Sequence, residues 1–310
     1  MEITVGIDVS KARLDVHVHP LGESFAVGND EAGVQALVER LGALAGIVSI
    51  GLEASGRYER LAVAQLAEVG LPVVVLNPAQ VRHYAEAINL KAKTDAIDAR
   101  LLALFIAATK PEPRPLPDAQ TRELAALLAR RRQLVGMLAA ERTRRQQASP
   151  GRVRTSLARV VSTLEDELRA LDQDIDKMVR GTPVWRDREN LLASVPGIGK
   201  TIARTLLAEL PELGSLSPKQ VAALAGLAPY TRQSGQWRGK SFIGGGRTTV
   251  RTAPFMGALV ASRHNPTLKA FRDRLVANGK PKLVAIIATA RKLLTILNAI
   301  IRDRKPWAPA

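Results

Sequence analysis

The sequence predicts an α/β domain at the N-terminus, followed by a coiled-coil helical hairpin and a mainly α-helical C-terminal domain. Three observations lead to this prediction. Over residues 1–76, period-two alternation and short apolar runs are interspersed with helical segments. Residues 111–118, PEPRPLPD, form a proline-rich break that is typical of a linker. Apolar residues then repeat in heptads over residues 157–178.

The first segment combines an antiparallel meander with alternating helices and strands. Three strands with short turns are predicted around residues 3–7, 14–18 and 24–27, where apolar and polar side chains alternate. The elements expected next are a helix over 31–44, a strand over 46–52 ending at Glu53, a helix over 57–69 and a strand over 72–76. This order is that of an RNase H-like domain, which we predict over residues 1–115.

Two long helices are predicted within residues 116–184. The first, residues 122–147, is basic, and residues 148–151 (ASPG) separate it from the second. The second carries an a/d seam with a strict 4-3-4-3 spacing, formed by Leu157, Val161, Leu164, Leu168, Leu171, Ile175 and Met178. A hairpin that pairs internally or with a second subunit explains this seam. The alternative is two surface helices packed on the domain.

A glycine-rich turn joins two predicted helices in the C-terminal domain, residues 185–310. Residues 195–199 (VPGIG) lie between helical segments at 190–194 and 200–210. The helix that starts at Lys200 would present backbone N–H groups to a phosphate, as in a helix-hairpin-helix element. An ordinary αα-hairpin that needs glycine to turn is the alternative. A nucleotide P-loop is excluded, because Ser194 stands where its first glycine should be.

The composition excludes several classes of protein. There is no cysteine, which rules out disulfides, a thiol nucleophile and thiolate zinc sites, and four His make structural zinc unexpected. No signal-peptide pattern opens the chain, and Arg291 and Lys292 interrupt its C-terminal apolar stretch. We therefore expect a soluble, cytoplasmic protein without a membrane span.

The charge is distributed unevenly along the chain. Residues 1–110 carry a net charge of −3, whereas residues 111–310 carry +19. This asymmetry indicates a balanced module joined to one that binds a polyanion, with a generally basic soluble protein as the alternative. Aromatic residues make up only 4% of the chain, so we expect Lys and Arg contacts to phosphate rather than base stacking to dominate.

Four acidic residues occupy positions that suit a metal site. Asp8 and Glu53 end predicted strands, and Asp95 and Asp98 are three apart on one helical face. Carboxylates are preferred ligands of Mg²⁺, and two such ions about 4 Å apart support phosphodiester chemistry. Each residue also has an ordinary explanation, because strand ends are solvated and Asp95 can cap a helix.

A polar, cationic loop follows at residues 230–240, YTRQSGQWRGK. Ser234 precedes a glycine, and the neighbouring cations Arg232, Arg238 and Lys240 could hold a phosphate and stabilise its transition state. A serine hydroxyl attacks a phosphodiester only if a base or metal activates it. On sequence alone, Ser-Gly is more often a turn, and Ser241 is an equal competitor.

Several of these segments together resemble a known family. They are GIDVSK, GLEASGRY, LNPAQVRHYAEAINLKAKTDAIDARLLA, SVPGIGKTIA, LAGLAPYTRQSGQWRGK and RHNPTLKAFRDRLVANGKPKLVAIIATARKLL. In this order they resemble the prokaryotic DEDD/serine transposases of the insertion sequence 110 type, the bridge-RNA-guided recombinases. The combination of KTDAIDA with the distant QSG is the specific part of the resemblance.

The resemblance implies a RuvC-like N-terminal domain, a coiled coil and a C-terminal domain with a nucleophilic serine. Asp8, Glu53, Asp95 and Asp98 match the metal-binding acids, and Ser234 matches the nucleophile. It further implies two Mg²⁺ ions, donor and target DNA, and an element-encoded bridge RNA. A transient 5′-phosphoserine would form at a composite site that uses the acidic domain of another subunit, within a dimer that pairs into a tetramer on DNA.

One segment departs from the family pattern. Residues 241–247, SFIGGGR, are glycine-rich where the family leads us to expect a more basic stretch ending in Gly-Asn or Gly-Asp. Two rival functions also remain open: a RuvC-like structure-specific nuclease that uses metal-activated water, and a non-catalytic nucleic-acid-binding protein. Dependence on Mg²⁺ and a covalent protein–DNA adduct separate the three possibilities.

Overall fold

A computed structural model of the chain describes residues 1–54, 56, 58–92, 94–113 and 118–308. The chain divides into two compact units, Met1–Leu116 and Pro117–Ala310. The first is a mixed α/β unit and the second is mostly helical, as predicted. Both regions predicted after residue 115 lie in the second unit, and their division into a coiled coil and a C-terminal domain stays a prediction.

A five-stranded sheet forms the centre of the first unit. Its strands are β1 (Ile3–Val9), β2 (Arg13–His19), β3 (Glu23–Gly28), β4 (Ile47–Glu53) and β5 (Val73–Leu76). The order across the sheet is β3-β2-β1-β4-β5. The first three strands pair antiparallel, while β4 is parallel to both β1 and β5. The predicted meander and both later strands are therefore confirmed.

Four helices cover the two faces of this sheet. They are α1 (Glu31–Gly42), α2 (Arg60–Glu68), α3 (Pro78–Ala87) and α4 (Asp95–Thr109). Because strand side chains alternate between faces, Val5, Ile7 and Ile50 pack with α1 and α2. Val74 and Leu76 pack on the other face with α3 and α4. The predicted start of the second helix, Arg57, lies outside the described residues, as do residues 114–117 of the predicted linker.

Two glycines let α4 lie directly against the sheet. Gly6 on β1 and Gly51 on β4 are paired in register. A Cβ at Gly6 would overlap the backbone of Ala99 and Ala103, and one at Gly51 would overlap the side chain of Ile106. The close approach also allows the Thr4 hydroxyl to donate to the Ala103 carbonyl at 3.1 Å. Residues two positions beyond each glycine point to this same face.

The second unit begins with a long helical hairpin, α5 (Ala119–Gln147) and α6 (Arg152–Gly181). The Asp118 side chain caps α5, which starts three residues before the predicted position. Val161 and Leu164 of the predicted seam pack with Leu134 and Leu138 of α5, so this seam pairs within the chain. The start of α5 and the end of α6, including Ile175, pack into the main core of the unit.

Six further helices complete the helical body. They are α7 (Pro183–Ala193), α8 (Lys200–Glu209), α9 (Pro218–Leu224), α10 (Thr248–His264), α11 (Pro266–Ala277) and α12 (Lys282–Asp303). Leu293, Leu294 and Leu297 of α12 are fully buried in the core. By length and composition α12 could cross a membrane, but half of it is buried in the protein. A buried core helix meets the same criterion, so α12 does not indicate a membrane protein.

Residues 229–247 leave this body as a small β arm between α9 and α10. Its strands are β6 (Pro229–Tyr230), β7 (Gln233–Ser234), β8 (Trp237–Arg238) and β9 (Phe242–Ile243). β6 pairs with β9, and β7 pairs with β8, both antiparallel. We call this segment the β arm. It is the part of the mostly helical unit that the sequence predicts only as a polar loop.

Candidate functional site

The four predicted carboxylates lie at one end of the sheet in the first unit. Asp8 is on β1, and Glu53 is the last residue of β4, one position beyond the paired Ile7 and Leu52. Asp95 and Asp98 are in the first turn of α4. Because α4 rests on Gly6 and Gly51, its first turn begins beside the strand ends that carry the other two acids.

The start of α4 is stabilised by a cap and suits negative charge. The Thr94 hydroxyl accepts a hydrogen bond from the Ile97 N–H at 3.3 Å. The exposed N–H groups of a first helical turn carry partial positive charge, which favours carboxylates at Asp95 and Asp98. The local sequence TDAID therefore combines a helix cap with two acids on the face that meets the sheet.

Asp8 is the electrostatic centre of the cluster. Partial burial, followed by the negative charges of Asp98, Asp95 and Glu53, raises the pKa of the Asp8 carboxyl from 3.8 to about 6. Three predicted acids thus act on the fourth. The structure brings together the carboxylates that the sequence placed on separate elements.

A fifth carboxylate lies beside this cluster and was not predicted. Asp15 on β2 is directly opposite Asp8 in the antiparallel register, and it also raises the pKa of the Asp8 carboxyl. Asp15 is 5% exposed and is paired with Arg13, whose Nε donates to its carboxylate at 3.1 Å. The contact with Arg13 fixes the Asp15 side chain on the strand beside Asp8. In the sequence, Asp15 stands at a polar position of the alternating strand, and its burial follows from the packing of the second face of the sheet.

A cleft of about 520 Å³ opens next to the carboxylates. Glu53 and Asp98 are among its lining residues, and Pro78, Val81 and Leu101 supply apolar wall. The cations Arg82 and Lys91 also line the cleft. A cleft lined by both carboxylates and cations can accept a phosphate backbone and a divalent cation together.

The donor chemistry fits Mg²⁺, although the side chains do not form a finished cage. Hard oxygen ligands crowd around Asp8, and their mutual repulsion would be relieved by a divalent cation. Within the described ranges, no group of three or more His, Asp or Glu side chains could hold a metal ion as it stands. The carboxylates would have to move closer together on binding one.

Ser234 lies in the β arm, on an exposed two-stranded hairpin. β7 and β8 pair Gln233 with Arg238 and Ser234 with Trp237, and Gly235 takes the left-handed φ of +55° that the tight turn requires. The Ser234 hydroxyl has no hydrogen-bond partner among the described residues, whereas the Ser241 hydroxyl lies 3.2 Å from that of Thr231. Of the two serines, Ser234 is therefore the one whose oxygen faces solvent unengaged.

The three predicted cations of the β arm surround this hairpin in different ways. Arg238 donates to the Gln233 side-chain oxygen at 3.3 Å, across the same pair of strands. The Arg232 guanidinium lies 5.0 Å from the centre of the Phe242 ring. Lys240 is exposed. None of these side chains forms an ion pair within the described structure, so their charge remains available to a phosphate.

The other predicted phosphate contact, Lys200, is already engaged. Its ammonium lies 3.5 Å from the Asp176 carboxylate, which also accepts from Arg204 at 2.6 Å. Gly197 is required by packing, because its φ is +105° and a Cβ there would approach the Ala261 N–H and side chain at 2.7 Å. The glycine in this turn therefore has a structural explanation, and phosphate binding by the turn stays a prediction.

Comparison with known proteins identifies the chain's family. A DEDD transposase family of the IS110 type, described as "Transposase", matches residues 5–148, and the "Transposase IS116/IS110/IS902 family" matches residues 189–273. The "Pilin gene-inverting protein" of Moraxella bovis is 33% identical over 314 residues, which is 98% of this chain and 97% of the relative. The chain belongs to the IS110 family of transposases.

Further relatives agree with this assignment. The "Pilin gene-inverting protein" of Moraxella lacunata is 33% identical over the same span. The IS110 transposase also resembles the "Insertion element IS110 uncharacterized 43.6 kDa protein" of Streptomyces coelicolor, with 30% identity over 150 residues, 48% of this chain and 36% of the relative. The predicted family, and the prediction of a DNA transposase or site-specific recombinase, are confirmed.

The two matched ranges divide the candidate residues of the transposase between them. The first range contains Asp8, Glu53, Asp95 and Asp98. The second contains Ser234 and the four predicted nucleic-acid contacts. The family name DEDD suggests dependence on a divalent metal, which is consistent with the carboxylate cluster of the first unit.

Proposed function

We propose that this transposase moves an insertion sequence by cutting and rejoining DNA with an RNase H-like, RuvC-like acidic site and a serine nucleophile. The observation that carries the proposal is the convergence of Glu53, Asp95 and Asp98 on Asp8, where burial and then these negative charges raise the pKa of the Asp8 carboxyl to about 6. A meander continued by two parallel strands, with acids at the strand ends, supports the RNase H-like assignment.

The carboxylates of the first unit would hold Mg²⁺ against the DNA phosphate. Asp8, Glu53, Asp95 and Asp98 supply the oxygen ligands, and the adjoining cations of the cleft orient the backbone. Bound Mg²⁺, expected as two ions, supplies charge neutralisation and makes a coordinated hydroxyl more acidic. Asp15, fixed by Arg13, keeps additional negative charge beside Asp8.

Ser234 carries the covalent step in this proposal. Its oxygen attacks a backbone phosphorus, the bond from phosphorus to the 3′-oxygen breaks, and that oxygen leaves as a 3′-hydroxyl with the serine proton. A 3′-hydroxyl of another strand then attacks the 5′-phosphoserine and returns the proton to the serine. The number of phosphoester bonds is unchanged, so the reaction needs no ATP. Arg232, Arg238 and Lys240 stabilise the charge on the phosphate oxygens.

The proposed partners are donor DNA, target DNA and a structured bridge RNA encoded by the element. The +19 net charge of residues 111–310 supports binding of several phosphate backbones. We further propose a dimer that pairs into a tetramer on DNA, in the cytoplasm and associated with the nucleoid. Sequencing of RNA that copurifies with the protein tests the RNA partner, and absence of an element-encoded transcript would contradict it.

The decisive experiment traps the covalent intermediate on nicked DNA carrying the ends of the element. In Mg²⁺, the wild-type protein and Ser241→Ala should each give a protein–DNA adduct that mass spectrometry maps to Ser234. Ser234→Ala should give none, and Asp95→Ala/Asp98→Ala should give none while retaining its circular dichroism spectrum. Full recombination by the double carboxylate variant would contradict the acidic site.

A metal-dependent nuclease is the second candidate function. It is favoured by one observation: no described side chain accepts the proton of the Ser234 hydroxyl. In a nuclease, metal-activated water replaces the serine. Cleavage without any adduct, unchanged by Ser234→Ala, would establish this alternative over the serine mechanism.

A further inference from the structure

The β arm exposes aromatic side chains in a protein that has few of them. The whole chain contains only 3 Trp, 3 Tyr and 5 Phe. In the β arm, Trp237 is 59% exposed, Tyr230 47% and Phe242 44%. Leaving so much apolar surface in water forgoes the stabilisation that burial would give. The concentration of such surface on one small arm indicates that something covers it.

Trp237 and Ser234 are direct neighbours across the hairpin. They form a cross-strand pair, so their side chains point to the same face with Cβ atoms about 4.5–5.5 Å apart. The Trp237 ring lies over Gly239, where an added Cβ would overlap it. The indole is therefore supported by backbone on one side. In a nucleotide, one sugar ring separates the phosphate from the base, and this separation is comparable to the distance between Ser234 and Trp237. A nucleotide whose phosphate lies at Ser234 can therefore place its base against Trp237.

The charge of the surrounding sequence selects a nucleic acid over a protein as the covering partner. Residues 213–272 contain nine Lys and Arg and no Asp or Glu. The β arm lies within this acid-free stretch. Arg238 is on β8, next to Trp237, and pairs across the hairpin with Gln233 of β7. Cations beside an exposed aromatic ring are the combination that holds unpaired bases and their backbone.

We propose that Trp237 stacks an unpaired base next to the phosphate at Ser234. The site rests on the proposed function, because the stacked base belongs to the strand that the serine attacks. Stacking takes the base out of its helix and fixes its phosphate against the hydroxyl. Every base has a flat face, so this contact holds the strand without reading its sequence. Trp237 is thus a positioning residue, and it makes single-stranded or melted DNA the preferred form at this point.

The test compares two labelled 20-nucleotide probes bound by the full-length protein: oligo-dT and an abasic oligomer with the same number of phosphates. Wild type should prefer oligo-dT by about 5- to 150-fold, the range of one stacked base. Trp237→Leu should lose most of this preference and keep its affinity for the abasic probe. Trp237→Phe should retain it while losing the quenching of tryptophan emission that oligo-dT causes in wild type.

Tyr58→Leu is the matched control, because Tyr58 is 47% exposed and lies in the first unit. It should bind both probes as wild type does. Equal affinity of wild type for both probes, or an equal loss of both in Trp237→Leu, would overturn the stacking site. A change in self-association with the base preference intact would assign the aromatic surface to protein contacts. If wild type forms the Ser234 adduct but shows no preference for oligo-dT, stacking alone is overturned. If wild type shows the preference but forms no adduct, only the serine step is overturned.

Discussion

The pKa of the Asp8 carboxyl reflects its burial and the charges of its neighbours. Its carboxyl is partly buried and lies among the carboxylates of Asp98, Asp95, Glu53 and Asp15, so its pKa rises to about 6. Without metal, the folded protein therefore binds the Asp8 proton more tightly than the unfolded chain, in which this carboxyl ionises near 3.8. Ionised Asp8 opposes folding above about pH 6, and this cost disappears below pH 3.8.

Asp8→Asn should therefore raise the melting temperature of the metal-free protein at pH 7.5 and change it little at pH 4. The expected gain is about 1–2 kcal/mol, reduced from the full shift because the carboxyl is partly exposed. Mg²⁺ should stabilise wild type more at pH 7.5 than at pH 5.5, because protons compete for Asp8, and should not stabilise the variant. Differential scanning calorimetry of wild type and variant, at each pH and with and without Mg²⁺, measures these melting temperatures. A variant less stable than wild type at pH 7.5 would contradict the predicted charge repulsion.

The carboxylate cluster was predictable because each acid stands at the end of a locally recognisable element. Alternation marks β1, a short apolar run marks β4, and TDAID marks the start of α4. Asp15 was missed because its position opposite Asp8 depends on the pairing register of two strands, which a single strand pattern does not contain. The role of Gly6 was missed for the same reason, since its close contact is with a helix more than 90 residues away.

At the scale of elements, the β arm contacts the helical body where the backbone of Gly246 packs against that of Gly226. Gly246 has a φ of +65°, and its Cα packs against the backbone of Gly226, where an added Cβ would overlap the Gly226 nitrogen. Arg247, the next residue, donates twice to the Glu212 carboxylate at 2.8 and 2.7 Å. The glycine-rich segment that departs from the family pattern is thus a close backbone crossing.

Gly246→Ala should destabilise the protein by about 2 kcal/mol or more, because it combines a left-handed φ with a backbone clash. Gly244→Ala is the matched control: a Cβ there would meet no described atom within 4 Å. It should change the free energy of unfolding by less than about 1 kcal/mol. Chemical denaturation monitored by circular dichroism gives both values. Equal stability of the two variants would mean that the arm is not anchored at this crossing.

A buried ion network joins three helices of the second unit. Arg204 on α8 donates to Glu189 of α7 and to Asp176 of α6, each at 2.6 Å, and both Arg204 and Glu189 are 6% exposed. Glu189→Ala should cost about 3–5 kcal/mol, since it leaves a buried guanidinium with half of its partners. Asp187→Ala, an exposed acid on the same helix, should cost less than about 0.5 kcal/mol. Urea denaturation distinguishes the two outcomes.

The elements that the sequence did not reveal are the shortest ones. Each strand of the β arm has two residues, too few for any periodicity to appear, and their pairing depends on turns between them. The low aromatic content argued against base stacking, yet it says nothing about where the few aromatic residues lie. By contrast, α5 and α6 have 29 and 30 residues, and the heptad seam of α6 is long enough to predict the hairpin.

Over the whole molecule, the positive charge is concentrated beyond residue 110. The far end of the α5–α6 hairpin adds to it, because residues 142–164 contain six Arg and no acid. Arg152 and Arg154 lie there, exposed and without an ion-pair partner among the described residues. We expect DNA binding to depend strongly on salt, with affinity falling by orders of magnitude between about 50 and 200 mM.

Arg152→Glu/Arg154→Glu should weaken DNA binding and reduce the slope of log affinity against log salt by about 2. Arg60→Glu/Lys110→Glu changes the net charge equally within the first unit and should leave the slope nearly unchanged. Fluorescence anisotropy with a labelled duplex, measured from 50 to 300 mM salt, provides both slopes. Equal effects of the two double variants would show that net charge, and not its position, controls binding.

The acid-free stretch of residues 213–272 also has a consequence for the protein when no DNA is bound. Three of its nine cations pair with acids just outside it, namely Arg247 with Glu212 and both Lys269 and Arg272 with Asp273. The others repel one another, and this repulsion opposes folding most at low ionic strength. Salt screens it, so added salt should strengthen the free protein while it loosens the complex. The stability of the free protein and its affinity for DNA thus change in opposite directions with salt. The isolated transposase is most stable at the salt concentrations at which it binds DNA most weakly.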